Sequence, residues 1–270
     1  MSGLKLHQAG IEVDGRWLVR GATLEVRAGS LTALVGPNGS GKTTLLRLLA
    51  GLWPPSEGQA TLDGRDLQFI SRRHLAQRIA FVPQDTHLSF EFTVREVVAM
   101  GRHPHLGRFE RERKIDRDCV EAAMRRADLT HLADRLVTEL SGGERQRVIL
   151  ARCLATGAGV MLLDEPTSSL DIAHTLDVLD LCRSLTDEGQ TVAMALHDLN
   201  AAMRYAHQVT LIHDGLLVGS GSPTEVITAT TVKTVFGVRA ERALTGNGES
   251  LWLFTRGDEA RDRGRHQLHT

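Results

Sequence analysis

Gly36-Pro37-Asn38-Gly39-Ser40-Gly41-Lys42-Thr43 fills every fixed position of a phosphate-binding loop. Such a loop must aim successive backbone N–H groups at phosphate oxygens, and glycines recur because side chains would stand in the way. Lys42 supplies a compact positive charge to the β- and γ-phosphates of a nucleoside triphosphate, and the Thr43 hydroxyl can ligate Mg²⁺. Thr44 closes the binding segment at the start of a helix, whose dipole adds positive potential at the same place.

A second group complements the first. Val160-Met161-Leu162-Leu163 is an apolar run ending in Asp164-Glu165. A buried strand that ends in acids delivers carboxylates to the carboxyl edge of a sheet, where α/β proteins bind ligands. Asp164 is expected to hold the Mg²⁺ and Glu165 to polarise an attacking water. An apolar run ending Asp-Glu is common by itself; with a complete phosphate loop upstream it gains meaning.

These residues need a scaffold, and the surrounding sequence supplies one. Leu4, Leu6, Ile11, Val13, Leu18, Leu24 and Val26 alternate with polar residues, which predicts antiparallel strands with one wet face, turning near Gly15 and Gly29. Leu31–Val35 reads as a buried strand feeding the glycine loop, and Thr44–Ala50 as a helix that stops at Gly51. Further strands are predicted at Val160–Leu163 and Thr191–Leu196, with a helix over Leu176–Leu185 between them. Val209–Ile212 and Leu216–Val218 flank Asp214-Gly215 as a hairpin. Ser222-Pro223-Thr224-Glu225 has the form of a capping box. From about Thr86 to Leu140 strand runs vanish, and Ile115, Cys119, Ala123 and Met124 fall at helical spacing. The expected class is α/β: a nucleotide-binding core over 1–85 and 156–240 with an antiparallel β-subdomain, a helical subdomain over 86–155, and a C-terminal extension over 241–270. The charged end of that extension, Asp258 to Thr270, is expected to fray.

Composition excludes several classes. With 32 Lys and Arg against 33 Asp and Glu, the chain of 270 residues has no basic field for nucleic acid or an anionic membrane. No run approaches the roughly 18–20 apolar residues that a membrane span needs. Met1 to Leu6 has no export-signal pattern. Cys119, Cys153 and Cys182 are scattered and read as reduced thiols of a cytosolic protein. His103-Pro104-His105 is read as a loop with solvated side chains, because the proline breaks the spacing that would aim both imidazoles at one ion.

Leu140-Ser141-Gly142-Gly143-Glu144-Arg145-Gln146-Arg147 stands about 20 residues before Asp164-Glu165. Ser141, Gly142 and Gly143 form a capped helix start, and so a second anion site. The segment resembles the signature motif of ABC-type ATPases, and the resemblance spans roughly residues 4–240. It implies a P-loop NTPase core of that family, with ATP and Mg²⁺ as ligands. It also implies a homodimer in which Ser141–Gly143 of one subunit faces the γ-phosphate held by the other. Gln84 resembles the Q-loop glutamine, touching Mg²⁺ or the water. Ser168-Ser169-Leu170-Asp171 resembles the D-loop. His197 resembles the switch histidine that bonds the γ-phosphate. The family's adenine-stacking aromatic falls near Val13, where none stands; either Trp17 substitutes or the stack is absent.

Phe90 to His105, and His197-Asp198-Leu199-Asn200 running into Ala201–Ala206, resemble importers of iron-siderophores, haem and cobalamin. The resemblance then implies two separate permease subunits docking on the helical insert and, indirectly, a substrate-binding protein. It places the chain at the cytoplasmic face of the inner membrane, with an iron complex (haem or ferric siderophore) as cargo. Three alternatives stand beside it: a cobalamin importer, a soluble ABC ATPase acting on nucleic acid or a ribosome, and a P-loop kinase. The kinase would leave Ser141–Arg147 without a purpose.

Overall fold

The computed structural model describes residues 3–84, 91–107, 110–168, 170–244, 246 and 250–256. Ser169, the opening of the insert through Phe90, and the tail from 257 onward lie outside the described residues.

β1 (Leu4–Val13) and β2 (Arg16–Val26) pair antiparallel through a turn at Asp14-Gly15, where both residues have positive φ, 51° and 75°. The chain then enters β3 (Leu31–Val35), passes the glycine loop and forms α1 (Lys42–Leu49). β4 (Glu57–Leu62) returns to pair with β1, and the two-residue β5 (Arg65–Asp66) completes a sheet in the order β2-β1-β4-β5. α2 (Arg72–Arg78) leads into β6 (Ile79–Val82).

Among its described residues, the segment that follows has helices and one isolated bridge, between Thr93 and Leu136. The helices are α3 (Val94–Ala99), a 3₁₀ turn over Met100–His105, α4 (Lys114–Arg126), short 3₁₀ turns over Thr130–Leu132 and Val137–Glu139, and α5 (Gly142–Ala155). In α4 the helical period is as expected, and Ala123 and Met124 face inward with Asp116 and Val120; Ile115 departs from the pattern and is 60% exposed. The reason is a buried ion pair, because Asp116 turns in to meet Arg102. The expectation of a solvated loop at His103–His105 holds for the exposed His103 side chain but not for the backbone or for His105. These residues close the 3₁₀ turn, and half-buried His105 contacts the Thr156 carbonyl through Nε2 at 2.7 Å.

β7 (Val160–Leu163), α6 (Ile172–Asp187), β8 (Thr191–Leu196), α7 (Leu199–Tyr205), β9 (Gln208–His213) and β10 (Leu216–Gly221) complete the central sheet, ordered β10-β9-β3-β8-β7-β6. Its ladders are parallel except for the β9–β10 hairpin. The run of apolar residues in each central strand has a simple cause. Leu31, Ala33 and Val35 face one core, with Met161, Leu163, Val192 and Met194. Leu34, Leu162, Ala193 and Ala195 face another, shared with α1 and the antiparallel sheet. Signature helix α5 bridges two cores: Ile149, Leu150 and Cys153 join the first, while Val148, Ala151 and Ala155 pack within the helical insert.

The chain ends with α8 (Pro223–Val226), α9 (Ala229–Phe236) and an antiparallel hairpin of β11 (Val238–Leu244) and β12 (Ser250–Arg256). The Ser222 capping box forms as the sequence predicts. Among the described residues, no helix is long and apolar enough to cross a membrane.

Candidate functional site: a nucleotide pocket at the carboxyl edge of the sheet

The glycine loop leaves β3 and turns into α1, and its glycines are required by space and by backbone conformation. A β-carbon at Gly36 would stand 2.1 Å from the Ile212 carbonyl oxygen. Gly39 and Gly41 have φ of 76° and 109°, a region that disfavours residues with side chains. Lys42 is buried beneath the loop, its Nζ donating to the carbonyls of Gly36 (3.0 Å) and Pro37 (3.1 Å). Burial pushes the Lys42 pKa down from its ordinary value, against the upward pull of the Glu165 and Asp164 carboxylates. Ser40 is buried, and its Oγ finds no hydrogen-bond partner among the described residues.

Asp164 and Glu165 stand at the end of β7. The Asp164 N–H donates to the Val82 carbonyl at 2.9 Å, which locks the strand end to β6. Asp164 is 1% exposed and accepts from Thr43 Oγ1 at 3.0 Å. Burial, above all, raises its pKa; the Thr43 hydrogen bond works the other way and the neighbouring Glu165 charge adds to the rise. Glu165 has a left-handed backbone, φ 50°, which costs a non-glycine residue roughly 1–2 kcal/mol. That conformation turns its carboxylate into a ring of partners. Oε1 lies 2.7 Å from His197 Nε2 and 3.8 Å from Lys42 Nζ, and Oε2 accepts from Gln84 Nε2 at 2.8 Å.

A pocket of about 500 Å³ opens over these groups. Asn38, Gly39, Gly41, Lys42, Thr43, Thr44, Gln84, Glu165 and His197 line it. Gly36, Pro37, Ser40 and Asp164 are not among the lining residues, and Asp164 is tied to the pocket through its hydrogen bond from Thr43. Half-buried Trp17 forms the far wall, with the Arg20 guanidinium 5.1 Å from its ring centroid. Val13 does not line the pocket. Nor do Ser141, Gly142 and Gly143, so the second anion site is apart from the first within one chain. Ser141 caps α5 reciprocally with Glu144: its Oγ donates to Glu144 Oε2 at 2.8 Å and accepts from the Glu144 N–H at 3.3 Å.

Sequence reasoning missed Arg16, Asp214 and Gly215, which also line the pocket. Asp214-Gly215 was legible as a hairpin turn. That the turn reaches the phosphate loop, with the Gly215 N–H donating to the Ser40 carbonyl at 2.9 Å, depends on the sheet order β10-β9-β3.

Comparison with known proteins agrees with this geometry. A sequence profile described as "ABC transporter" matches residues 19–168. The cobalamin import ATP-binding protein BtuD of Halobacterium salinarum is 45% identical over 85% of this chain, and the chain spans 57% of that relative's length. The ferric enterobactin transport ATP-binding protein FepC of Escherichia coli is 44% identical, covering 80% of both chains. The hemin import ATP-binding protein HmuV of Pseudomonas entomophila is 43% identical over 84% of this chain and 92% of its own. Among solved structures, a metal-chelate type ABC transporter in an inward-facing conformation superposes with a TM-score of 0.83 at 28% identity, covering 94% and 97%. The dimeric cassette MJ0796 bound to ADP and Pi gives 0.71 at 26%, covering 82% and 98%. The phosphate loop, the acid pair and these likenesses converge: the chain belongs to the ABC transporter family, as an ATP-binding and ATP-hydrolysing cassette.

Proposed function

We propose that two copies of this chain hydrolyse ATP to drive import of a metal chelate through two separate membrane-spanning subunits. The proposed cargo is an iron complex, haem or a ferric siderophore. Cobalamin is the second reading, favoured by the Halobacterium relative. The observation that carries the chemistry is the Glu165 carboxylate, met at once by Lys42, Gln84 and His197. The cargo class is supported by relatives of nearly equal identity, named for cobalamin, ferric enterobactin and hemin, which share metal-chelate chemistry. In this reading the chain sits peripherally at the cytoplasmic face of the membrane, the permeases dock on the helical insert, and a substrate-binding protein acts through them.

The residues fit ATP and Mg²⁺. The Gly36 cradle admits no β-carbon, the buried Ser40 hydroxyl is without a partner, and Thr43 and Asp164 set two hard oxygen donors 3.0 Å apart. Bound Mg²⁺ would supply positive charge to the β- and γ-phosphate oxygens, with Thr43, Asp164 and the Gln84 carbonyl as its protein ligands. Trp17 offers an aromatic face to the base. Ser141, Gly142 and Gly143 of the partner subunit would cap the γ-phosphate, since the same residues of one chain lie outside its own pocket.

In the chemical step Glu165 accepts a proton from water while the water oxygen bonds to the γ-phosphorus. The bond to the β–γ bridging oxygen breaks, giving ADP and phosphate. Lys42 and His197 offset the negative charge that builds on the γ-phosphoryl oxygens. Loss of the γ-phosphate removes the bridge between subunits, and the pair reopens.

A pull-down of the Glu165→Gln chain from detergent-solubilised native membranes, read by mass spectrometry, tests this function. A polytopic permease in the eluate is expected. Ribosomal or DNA-bound proteins alone would leave the ATPase standing and overturn transport.

A further inference from the structure

We propose that Asn200 is a positioning residue for His197, and that it makes the C-terminal hairpin a working part of the hydrolysis site. This rests on the roles proposed above for Glu165 and His197.

His197 follows β8 directly, and α7 begins two residues later. Asp198 caps that helix, its carboxylate accepting from the N–H groups of Asn200 (2.8 Å) and Ala201 (3.2 Å). The Asn200 side chain faces away from this cap, toward β12. Its Nδ2 donates to the Trp252 carbonyl at 3.1 Å, and its Oδ1 accepts from the Trp252 N–H at 2.7 Å. One amide thus satisfies both backbone groups of a single strand residue, as a neighbouring strand would. β11 lies along the other edge of β12, with Arg242 opposite Trp252.

Trp252 makes a firm anchor. It is 7% exposed and belongs to the main core with Ala240, Leu199, Ala202 and Tyr205. The connected path therefore runs from the core through the Trp252 backbone, the Asn200 amide and the Asp198 cap to His197, and across 2.7 Å to the Glu165 carboxylate. α7 has only seven residues, so its own hydrogen bonds hold its first turn weakly. The bidentate amide fixes that turn from behind. A groove of about 860 Å³ runs along this path, with Glu165 and His197 among its lining residues and Ser250 and Leu251 of β12 among the others. The hairpin thereby borders the same depression as the reacting carboxylate.

The competing view is that Asn200 only keeps the hairpin folded. Steady-state ATPase kinetics and thermal unfolding of the full chain separate the two, using Asn200→Ala and Trp252→Phe. Trp252→Phe disturbs hairpin packing but keeps the backbone groups that Asn200 holds. Asn200→Ala is expected to lower kcat about 5- to 100-fold, the scale of a misplaced catalytic group. The KM for ATP should stay within about twofold. Trp252→Phe should lower the unfolding temperature while keeping most of kcat. Should the alanine variant not fold, Asn200→Asp serves: it keeps the acceptor for the Trp252 N–H, cannot donate to the carbonyl, and should move kcat the same way. Wild-type kcat in the Asn200 variant, or equal losses of kcat in both variants at equal losses of stability, would overturn the inference. Glu165→Gln is measured alongside: wild-type turnover there would overturn the reading of the site itself.

Discussion

The imidazole of His174 lies against the bare Cα of Gly143, so that a β-carbon built on Gly143 would stand 2.4 Å from His174 Cδ2. The same imidazole is held by Asp171, Nδ1 to Oδ1 at 2.8 Å. The helix start carrying Ser141–Gly143 is thus in direct contact with the first turn of α6, whose cap is Asp171. Gly143→Ala should force His174 aside, at a cost of roughly 1–3 kcal/mol from overpacking. ATP binding by the isolated subunit should persist, while ATP-dependent dimerisation, followed by light scattering, is lost. Adding His174→Ala should restore the stability and not the dimer. Normal dimerisation of Gly143→Ala would remove this glycine from the subunit interface.

Glu165→Gln should cut turnover by roughly 10²–10⁴-fold, the usual loss with a general base. Because Gln84, Lys42 and His197 still surround the amide, nucleotide binding should be retained and ATP-bound dimers should accumulate. Single-turnover assays with labelled ATP measure both. A variant that still hydrolyses ATP at the parent rate would exclude Glu165 as the base.

Trp17→Ala probes the base wall. Stacking contributes on the order of 0.5–1.5 kcal/mol, so the KM for ATP should rise about 2- to 10-fold with kcat little changed. An unchanged KM would remove Trp17 from the base site.

Asp116 gives a stability prediction with a pH signature. Burial alone would raise its pKa, but the Arg113 N–H and the Arg102 and Arg113 guanidiniums outweigh burial and hold it below the ordinary value of 3.8. A depressed folded-state pKa means that the contribution is complete above the unfolded value and is lost as pH falls through the folded one. Arg102 also donates to the Ala155 and Thr156 carbonyls at 2.8 and 3.2 Å. Asp116→Asn should therefore destabilise the chain by roughly 3–5 kcal/mol near neutral pH, the cost of stranding a buried partner. Denaturant midpoints measured from pH 7 down to pH 3 should show a gap between parent and variant that is constant above about pH 4 and narrows below it; a gap that stays constant to the acid end would exclude the ion pair as the cause.

Much of this was legible because burial on both faces leaves a plain mark. Leu31–Val35, Val160–Leu163 and Thr191–Leu196 are continuous apolar runs, and each is a central strand with the expected ends. β4, Glu-Gly-Gln-Ala-Thr-Leu, was not foreseen, since half its residues are polar and it depends on β1 for a partner. The C-terminal hairpin escaped for a similar reason: β11 carries Arg239, Glu241 and Arg242, and only Ala240 is buried. Gly246-Asn247-Gly248 between two strand-length runs was the available sequence signal. Helical phase in the insert was misread at Ile115, because a charge turned inward where apolar spacing was the guide. In the pocket, the motif residues were legible from type and order, whereas Asp214 reaches it through the order of strands in the central sheet and Arg16 from the antiparallel sheet.

The turn at Gly215 ties two bodies together. Its N–H donates to Ser40 of the phosphate loop and its carbonyl accepts from the Arg20 N–H of β2, at 2.9 and 3.0 Å. The wall that carries Trp17 and the loop that cradles phosphate are thereby joined backbone to backbone. The span between them acts as a ruler, its graduation fixed by main-chain bonds and indifferent to side-chain exchange at Arg16 or Asp214. On the roles proposed above for Trp17 and Glu165, that fixed span would gauge a nucleotide by its length as well as by its charge.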